Sequence, residues 1–319
     1  MISSPCRILA GTPSPRQRAS GVGSRPEDGF AIPCGQGKGA DALAHRSVCA
    51  AVAIALSLAA CSETIEGLGP SNHIAETEAT AGDQASNAQN LASLAEVIAR
   101  NPNDATAYNT RGVVYAKLGR YSNAIEDFSH AIELDPHFAG AYTNRALAYR
   151  QERKDELAMH DFNQAIAVNP NDAGAYLGRG NLLRSQNDFS GALADLNQAV
   201  KLNPEGAQAY HARGLIYQRQ GNDTLAITDF NNAIDRDPFA GAPYQARGES
   251  LMATGKYEAA IEDFNATLNV NPNNSDAWAD RGFCYEKLDN REKAVESYQR
   301  AILVNPNNRT ARAALQRLS

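Results

Sequence analysis

Residues 105–138 read ATAYNTRGVVYAKLGRYSNAIEDFSHAIELDPHF, and this stretch decides the fold. Its 34-residue pattern returns five times without insertion or deletion, at 139–172, 173–206, 207–240, 241–274 and 275–308. Within each unit, apolar residues recur at spacings of three and four, which places them on one face of an α-helix. A helical pair of this size cannot bury its apolar face alone, so the units are expected to stack into a continuous array.

The repeated positions indicate how each unit packs. Position 4 is always aromatic, position 8 is always Gly or Ala, position 20 is always Ala, and position 24 is always large. Small residues at positions 8 and 20 allow two antiparallel helices to approach closely, and the large residues fill the space around that contact. Position 32 is always proline, which cannot continue a helix interior. In the first unit these positions hold Tyr108, Gly112, Ala124, Phe128 and Pro136.

Local signals mark the helix ends. Asp104, Asp172 and Asn274 directly precede predicted helix starts and are expected to cap them, because their side chains accept hydrogen bonds from free backbone N–H groups. Glycine stands at position 15 in three units, where the first helix of the unit should end. Each unit therefore reads as helix, turn, helix, turn.

This pattern resembles the tetratricopeptide-repeat (TPR) family over residues 105–308. The resemblance implies an all-α fold, a right-handed superhelix (α-solenoid) of six helix-turn-helix repeats. The array is predicted to span 89–308, with a half-repeat at 89–102 covering its N-terminal end. A helix at 309–319, with one apolar stripe, is predicted to cap the other end.

The N-terminal part of the chain differs in composition. Residues 1–44 are rich in Pro, Gly, Ser and Arg, which predicts disorder or an over-called extension upstream of the true start. Residues 45–61 read as a signal peptide: a charged start, then an apolar run of about 13 residues, too short to cross a bilayer. The run ends in Leu58-Ala59-Ala60-Cys61, which resembles the lipobox of bacterial lipoproteins and implies lipidation of Cys61. Residues 62–88 carry acidic residues without Lys or Arg and predict a disordered acidic tether.

Composition and motifs argue against several functions. The net charge of −6 gives no basic stripe for nucleic acid. Four of the five cysteines lie in the first 61 residues, and no pair has metal-ligand spacing. No known catalytic motif occurs, and the repeats use the chain from residue 90 onward. The sequence therefore predicts no enzyme activity, no cofactor, no metal and no small-molecule substrate.

Two recurrent charged positions allow two interpretations. Arginine occupies position 7 in all six units, and aspartate occupies position 23 in every unit except the last, which has Ser297. A row of arginines would suit an anion-binding ladder, whereas the matched aspartates favour an ion pair between the two helices of each unit. Such pairs contribute only about 0–1 kcal/mol each where they are exposed. Cys284 stands at an apolar position of the last unit and is expected to be buried.

The TPR resemblance also implies a binding surface. In that family the first helices of the units line a concave groove, and positions 2, 5, 9, 12 and 13 face it. Arg150, Arg184 and Arg219 are expected to form a basic stripe there, with Glu249 and Glu286 reversing the sign toward the C-terminus. The family's clamp for acidic C-terminal tails finds no match in three consecutive units. Predicted protein-binding residues are Asn109, Lys117, Arg150, Asn181, Arg184, His211, Arg219, Gln245, Glu249, Phe283 and Glu286.

These features favour a non-catalytic scaffold or adaptor that binds partner proteins or peptide segments and is held to the bacterial cell envelope by a lipid anchor. In bacterial lipoproteins, Asp directly after the lipidated cysteine tends to retain the protein on the inner membrane, so the resemblance, with Ser62 after Cys61, implies the outer membrane, facing the periplasm. A structural subunit of an envelope assembly or secretion complex is the alternative. A cytosolic interaction protein follows if the lipobox is accidental, and an enzyme ranks last.

Overall fold

The structure, a computed structural model, describes residues 81–319 and contains fourteen helices and no strand over that range. The all-α fold expected from the sequence is confirmed. The helices are α1 (Ala81–Arg100), α2 (Ala105–Lys117), α3 (Tyr121–Leu134), α4 (Ala139–Gln151), α5 (Asp155–Val168), α6 (Ala173–Ser185), α7 (Phe189–Leu202), α8 (Ala207–Arg219), α9 (Asp223–Arg236), α10 (Gly241–Ala253), α11 (Tyr257–Val270), α12 (Ser275–Lys287), α13 (Arg291–Val304) and α14 (Arg309–Leu318).

The first helix is longer than predicted. It begins at Ala81, whereas the half-repeat was expected from residue 89 and the tether through residue 88. No proline interrupts this stretch, so nothing in it stops the helix, and its three alanines favour the helical state while Gly82 and Asn87 oppose it. Ile98 is buried against the array, while Val97 remains 41% exposed, so only one side of α1 covers the end of the stack. The predicted extension, signal peptide and most of the tether lie outside the described residues.

Each repeat follows the capping chemistry that its sequence indicates. The side chain of Asp104 accepts from the backbone N–H groups of Thr106 and Ala107, at 2.9 and 3.1 Å. Asp172 and Asn274 cap α6 and α12 in the same way. Position 15, just after each first helix, has positive φ in all six units. Its occupants are Gly119, Arg153, Asn187, Gly221, Gly255 and Asp289.

Close packing within a repeat depends on position 8. In the fourth unit, a Cβ placed on Gly214 would lie 2.6 Å from the Phe230 ring, and Gly112 and Phe128 show the same relationship. The small residue is therefore needed mainly to seat the large residue at position 24, rather than to meet the alanine at position 20. Alanines at positions 20 and 27 are completely or almost completely buried beneath these rings.

Helix contacts define the curvature of the array. Each first helix contacts the next first helix: α2 with α4, α4 with α6, α6 with α8, α8 with α10, and α10 with α12. Within residues 81–319, no second helix contacts another second helix. First helices thus crowd together on the concave side, and we call the surface formed by α2, α4, α6, α8, α10 and α12 the inner face.

The recurrent arginines and aspartates form buried ion pairs. In the fourth unit, Nε and Nη2 of Arg213 donate to both carboxylate oxygens of Asp229, at 2.8 and 2.7 Å. Nη1 of Arg213 donates to Asn197 of the preceding unit, at 2.8 Å. The predicted pairing of the two helices is confirmed in the five units that have Asp. The expectation of weak exposed pairs does not apply, because these arginine side chains are 17–23% exposed and the aspartates 2–8%.

Candidate functional site

The inner face carries most of the residues predicted to bind a partner, but the structure uses some of them internally. Asn109 is only 3% exposed, and its Oδ1 accepts from Nδ2 of Asn144, at 3.0 Å. Position 5 of the first unit therefore faces the next first helix rather than solvent. This burial arises because α2 and α4 pack directly against each other.

Two predicted residues at the C-terminal end belong to the contact with the capping helix. Nη2 of Arg317, on α14, donates to both carboxylate oxygens of Glu286 at 2.8 Å, and the Tyr298 hydroxyl donates to the same carboxylate at 3.1 Å. Phe283 is half-buried and packs in the hydrophobic cluster that α14 covers. The negative charge of Glu286 is thus already paired, a contact that only the docking of α14 creates.

The predicted basic stripe is shorter than expected. Arg219 is exposed, and its guanidinium lies 5.9 Å from the ring centroid of Phe189, on a second helix. It stands at position 13, about 100° around the helix from position 12, which explains why it leaves the row. Position 12 of α8 holds Gln218, whose Nε2 donates to the Ala246 carbonyl at 2.9 Å and the Ser250 hydroxyl at 3.1 Å. Lys117 is exposed at the end of α2.

Arg150, Arg184 and His211 instead form a cluster in the middle of the inner face. They lie on α4, α6 and α8, which contact one another in that order. Burial lowers the pKa of the Arg184 guanidinium, and the charge of Arg150 lowers it further. Burial, with Arg184 nearby, lowers the pKa of His211 to about 4, so its ring is neutral at pH 7. Asn181 lies one turn before Arg184 on α6 and is half-buried.

A group of carboxylates lies further along the inner face. Gln245 donates to Glu249 at 3.1 Å and accepts from Asn274 at 2.6 Å, so both predicted residues belong to a hydrogen-bonded row. Asp280, on α12, was not predicted. Burial, then Glu249 and Asp276, raise the pKa of Asp280 to about 7. Glu249 and Asp280 thus place acidic groups on this part of the inner face, whereas Glu286 is paired with Arg317.

Sequence reasoning missed Asp280 and Gln218 because both stand at positions where other units have different residues. Position 6, which holds Asp280, has Thr, Asn, Gly and Ala elsewhere in the array. The one signal in the sequence is that the last unit alone has an acidic residue at position 6. That signal does not show which groups surround the Asp280 carboxylate.

The described residues also bear on membrane spanning, metal binding and thiol reactivity. Within residues 81–319, no helix combines the length and apolar character needed to cross a bilayer, and no three His, Cys, Asp or Glu side chains gather as metal ligands would. Cys284 is completely buried, as expected, and burial raises the pKa of its thiol to about 12. A thiol with that environment is a poor nucleophile at neutral pH.

Comparison with family models gives consistent matches along the array. Models described as tetratricopeptide repeat match residues 105–138, 139–172, 207–239 and 248–319, and one described as TPR repeat matches 180–221. No curated protein sequence matches the chain.

Solved structures share the architecture. The APC/C hetero-tetramer Cut9–Hcn1 superposes with a TM-score of 0.64 at 19% identity, covering 74% of this chain and 46% of that one. PilF of Pseudomonas aeruginosa gives 0.62 at 18%, covering 67% and 97%. YrrB, whose structure is described as a TPR protein with an unusual peptide-binding site, gives 0.53 at 24%, covering 60% and 99%. At these identities the similarity is one of fold.

Proposed function

Because this chain belongs to the tetratricopeptide-repeat family, we propose that it is a non-catalytic protein-interaction scaffold that binds segments of partner proteins on the inner face. One observation carries the proposal. Six first helices form one continuous concave surface, and half-buried polar and charged side chains remain on it after the internal pairings are satisfied. Such a surface suits an extended segment, which can contact several units in succession.

The direct test is site-specific photo-crosslinking in cells. A benzophenone amino acid would replace Asn181 on the inner face, and a matched control would replace Gln164, which is exposed on the second helix α5. We expect crosslinked products from position 181 and few from position 164. Equal yields from both positions, or none from position 181, would contradict binding on the inner face.

Crosslinking, together with purification in mild detergent, separates an adaptor from a fixed structural subunit. An adaptor should give several crosslinked partners in substoichiometric amounts. A subunit of an envelope assembly should purify in mild detergent with one set of partners in constant ratio. PilF and PilW, the latter described as a type IV pilus biogenesis factor, share the fold with this chain at 18% identity, which does not extend their roles to it.

The finer proposal is that Cys61 is lipidated and holds the scaffold in the bacterial envelope, at the outer membrane facing the periplasm. Its support is the apolar run followed by Leu58-Ala59-Ala60-Cys61, and the acidic, Lys- and Arg-free stretch 62–88 that would separate the array from the lipid. A cytosolic scaffold is the alternative if that motif is not processed.

A further inference from the structure

The arginines of the repeat array differ in how their charges are compensated. Those at position 7 pair with aspartates in five units, and Arg317 pairs with Glu286. Arg184 has no such partner. Among residues whose side chains the structure describes, its Nε is one of only two buried polar side-chain atoms without a hydrogen bond, the other being Oδ1 of Asn144. A buried cationic donor left without an acceptor is unfavourable.

The surroundings of Arg184 add a second cation instead of an anion. Arg150 occupies the same position on the preceding first helix, and its charge acts on Arg184. His211, on the next first helix, is neutral and adds no negative charge. In the described part of the chain, no carboxylate forms an ion pair with Arg150 or Arg184. The helix dipole favours a cation at the end of α6, but it supplies no acceptor to Nε of Arg184.

We propose that the cluster of Arg150, Arg184 and His211 binds a carboxylate of an Asp- or Glu-containing partner segment lying along the inner face. This inference rests on the proposed scaffold function. A carboxylate matches the planar donor fork of a guanidinium and would supply the acceptor that Nε of Arg184 lacks. The neutral ring of His211 can add one N–H donor to the other side of the same group.

The chemistry favours a peptide carboxylate over nucleic acid. The cluster has two arginines in the second and third units, whereas Glu249 and Asp280 lie on the same face in the fifth and sixth units. A nucleic-acid backbone carries a charge at every residue and would meet repulsion there, and the chain as a whole has a net charge of −6. A peptide can place its acidic residues at one end only.

The test uses the full chain and two fluorescein-labelled 12-residue peptides, one with three consecutive Glu in a Gly/Ser background and one with Gln in their place. Fluorescence anisotropy at low salt measures binding. We expect the Glu peptide to bind at least tenfold more tightly than the Gln peptide. Arg184→Gln should weaken binding of the Glu peptide at least tenfold. Arg219→Gln, which removes the same charge from the next first helix, should change it less than twofold.

Controls make each outcome decisive. Circular dichroism and a thermal melt check that Arg184→Gln is folded, and Arg184→Lys, which keeps the charge but loses the fork, should recover only part of the affinity. Equal binding of the two peptides, equal losses from Arg184→Gln and Arg219→Gln, or displacement of the Glu peptide by poly-uridylate at equal charge would overturn the assignment. If crosslinks form at position 181 while the Glu peptide fails to bind, the scaffold function is supported and the carboxylate-binding cluster is rejected. If the Glu peptide binds but no crosslinks form at position 181 in cells, the proposed scaffold function is rejected instead.

Discussion

The ring of Phe162 lies against Gly178 of the following repeat, where a Cβ atom would overlap ring carbons Cε1 and Cζ. In the five other units the large residue at position 24 sits on the glycine at position 8 of its own unit, as in the contact of Phe230 with Gly214. The second unit has Ala146 at that position, in the same hydrophobic cluster as Phe162. The methyl group of Ala146 takes space from the Phe162 ring within the second unit. Gly178, in the third unit, leaves the ring the room that it needs.

Gly178→Ala is expected to destabilise the protein by roughly 1–3 kcal/mol, because Phe162 would then be crowded from both sides. Adding Ala146→Gly should restore most of the loss, since the ring regains room within its own unit. Urea denaturation of both single variants and the double variant measures this coupling. Additive effects of the two substitutions would show that the two sites do not share the ring.

The last repeat lacks a complete ion pair. Nε of Arg281 reaches only the hydroxyl of Ser297, at 3.3 Å, and Ser297 is 1% exposed. Ser297→Asp should recreate the pair found in the other five units and stabilise the protein by about 1 kcal/mol. Ser297→Asn, similar in size but uncharged, should give a smaller gain. A melting temperature for Ser297→Asp below that of the parent would show that this site does not tolerate the carboxylate.

Arg153 is the unfavourable residue among the six at position 15. Its φ of 61° lies in the left-handed region, which three units occupy with glycine and two with Asn or Asp. Arg153→Gly should therefore stabilise the protein by about 0.5–1 kcal/mol, the relief of strain being partly offset by the greater freedom of glycine in the unfolded chain. Asn187→Gly is the matched control and should change the free energy of unfolding less, since asparagine tolerates this conformation. Equal effects of the two substitutions, measured in urea, would contradict the explanation.

Asp280 should make stability depend on pH. Its folded pKa of about 7 lies above the ordinary value of 3.8, so its contribution is favourable below 3.8 and is lost as pH rises toward 7. Asp280→Asn should thus stabilise the protein at pH 8, by roughly 1–3 kcal/mol, and have little effect near pH 4. Thermal melts across this range measure the difference. A pH-independent effect of the substitution would contradict the raised pKa.

His211 should contribute a pH dependence of stability with the opposite sign to that of Asp280, and it therefore serves as a control. Its folded pKa of about 4 lies below the ordinary 6.5, so the unfolded chain binds the extra proton and stability rises with pH between 4 and 6.5. His211→Gln should remove this rise. If it leaves the pH profile unchanged, the ring is not held neutral by its surroundings.

Lipidation can be tested at a single residue. Cys61→Ala should release the protein from the membrane fraction or block its processing, because it removes the atom that would carry the lipid. Mass spectrometry of the purified parent protein should find an acylated N-terminus at Cys61. An unmodified terminus at Met1 would exclude the lipoprotein interpretation.

The sequence by itself determined the repeat, its helices and their caps. A period of 34 residues with fixed small, aromatic and proline positions leaves few ways to bury the apolar faces, and Asp104 or Gly119 act through local backbone chemistry that neighbouring residues already specify. The ion pairs between positions 7 and 23 followed for the same reason, since both partners recur in register.

Only the tertiary structure decided how much of the inner face is free and which charges meet there. Glu286 is paired because α14 docks on the last repeat, and Arg219 lies beside Phe189 of the preceding second helix instead of in the basic row. Arg184 and Asp280 owe their altered pKa values first to burial, and then to like charges that include Arg150 and Glu249 on neighbouring first helices. Desolvation and Coulomb interactions depend on distances across repeats, and a linear pattern does not contain those distances.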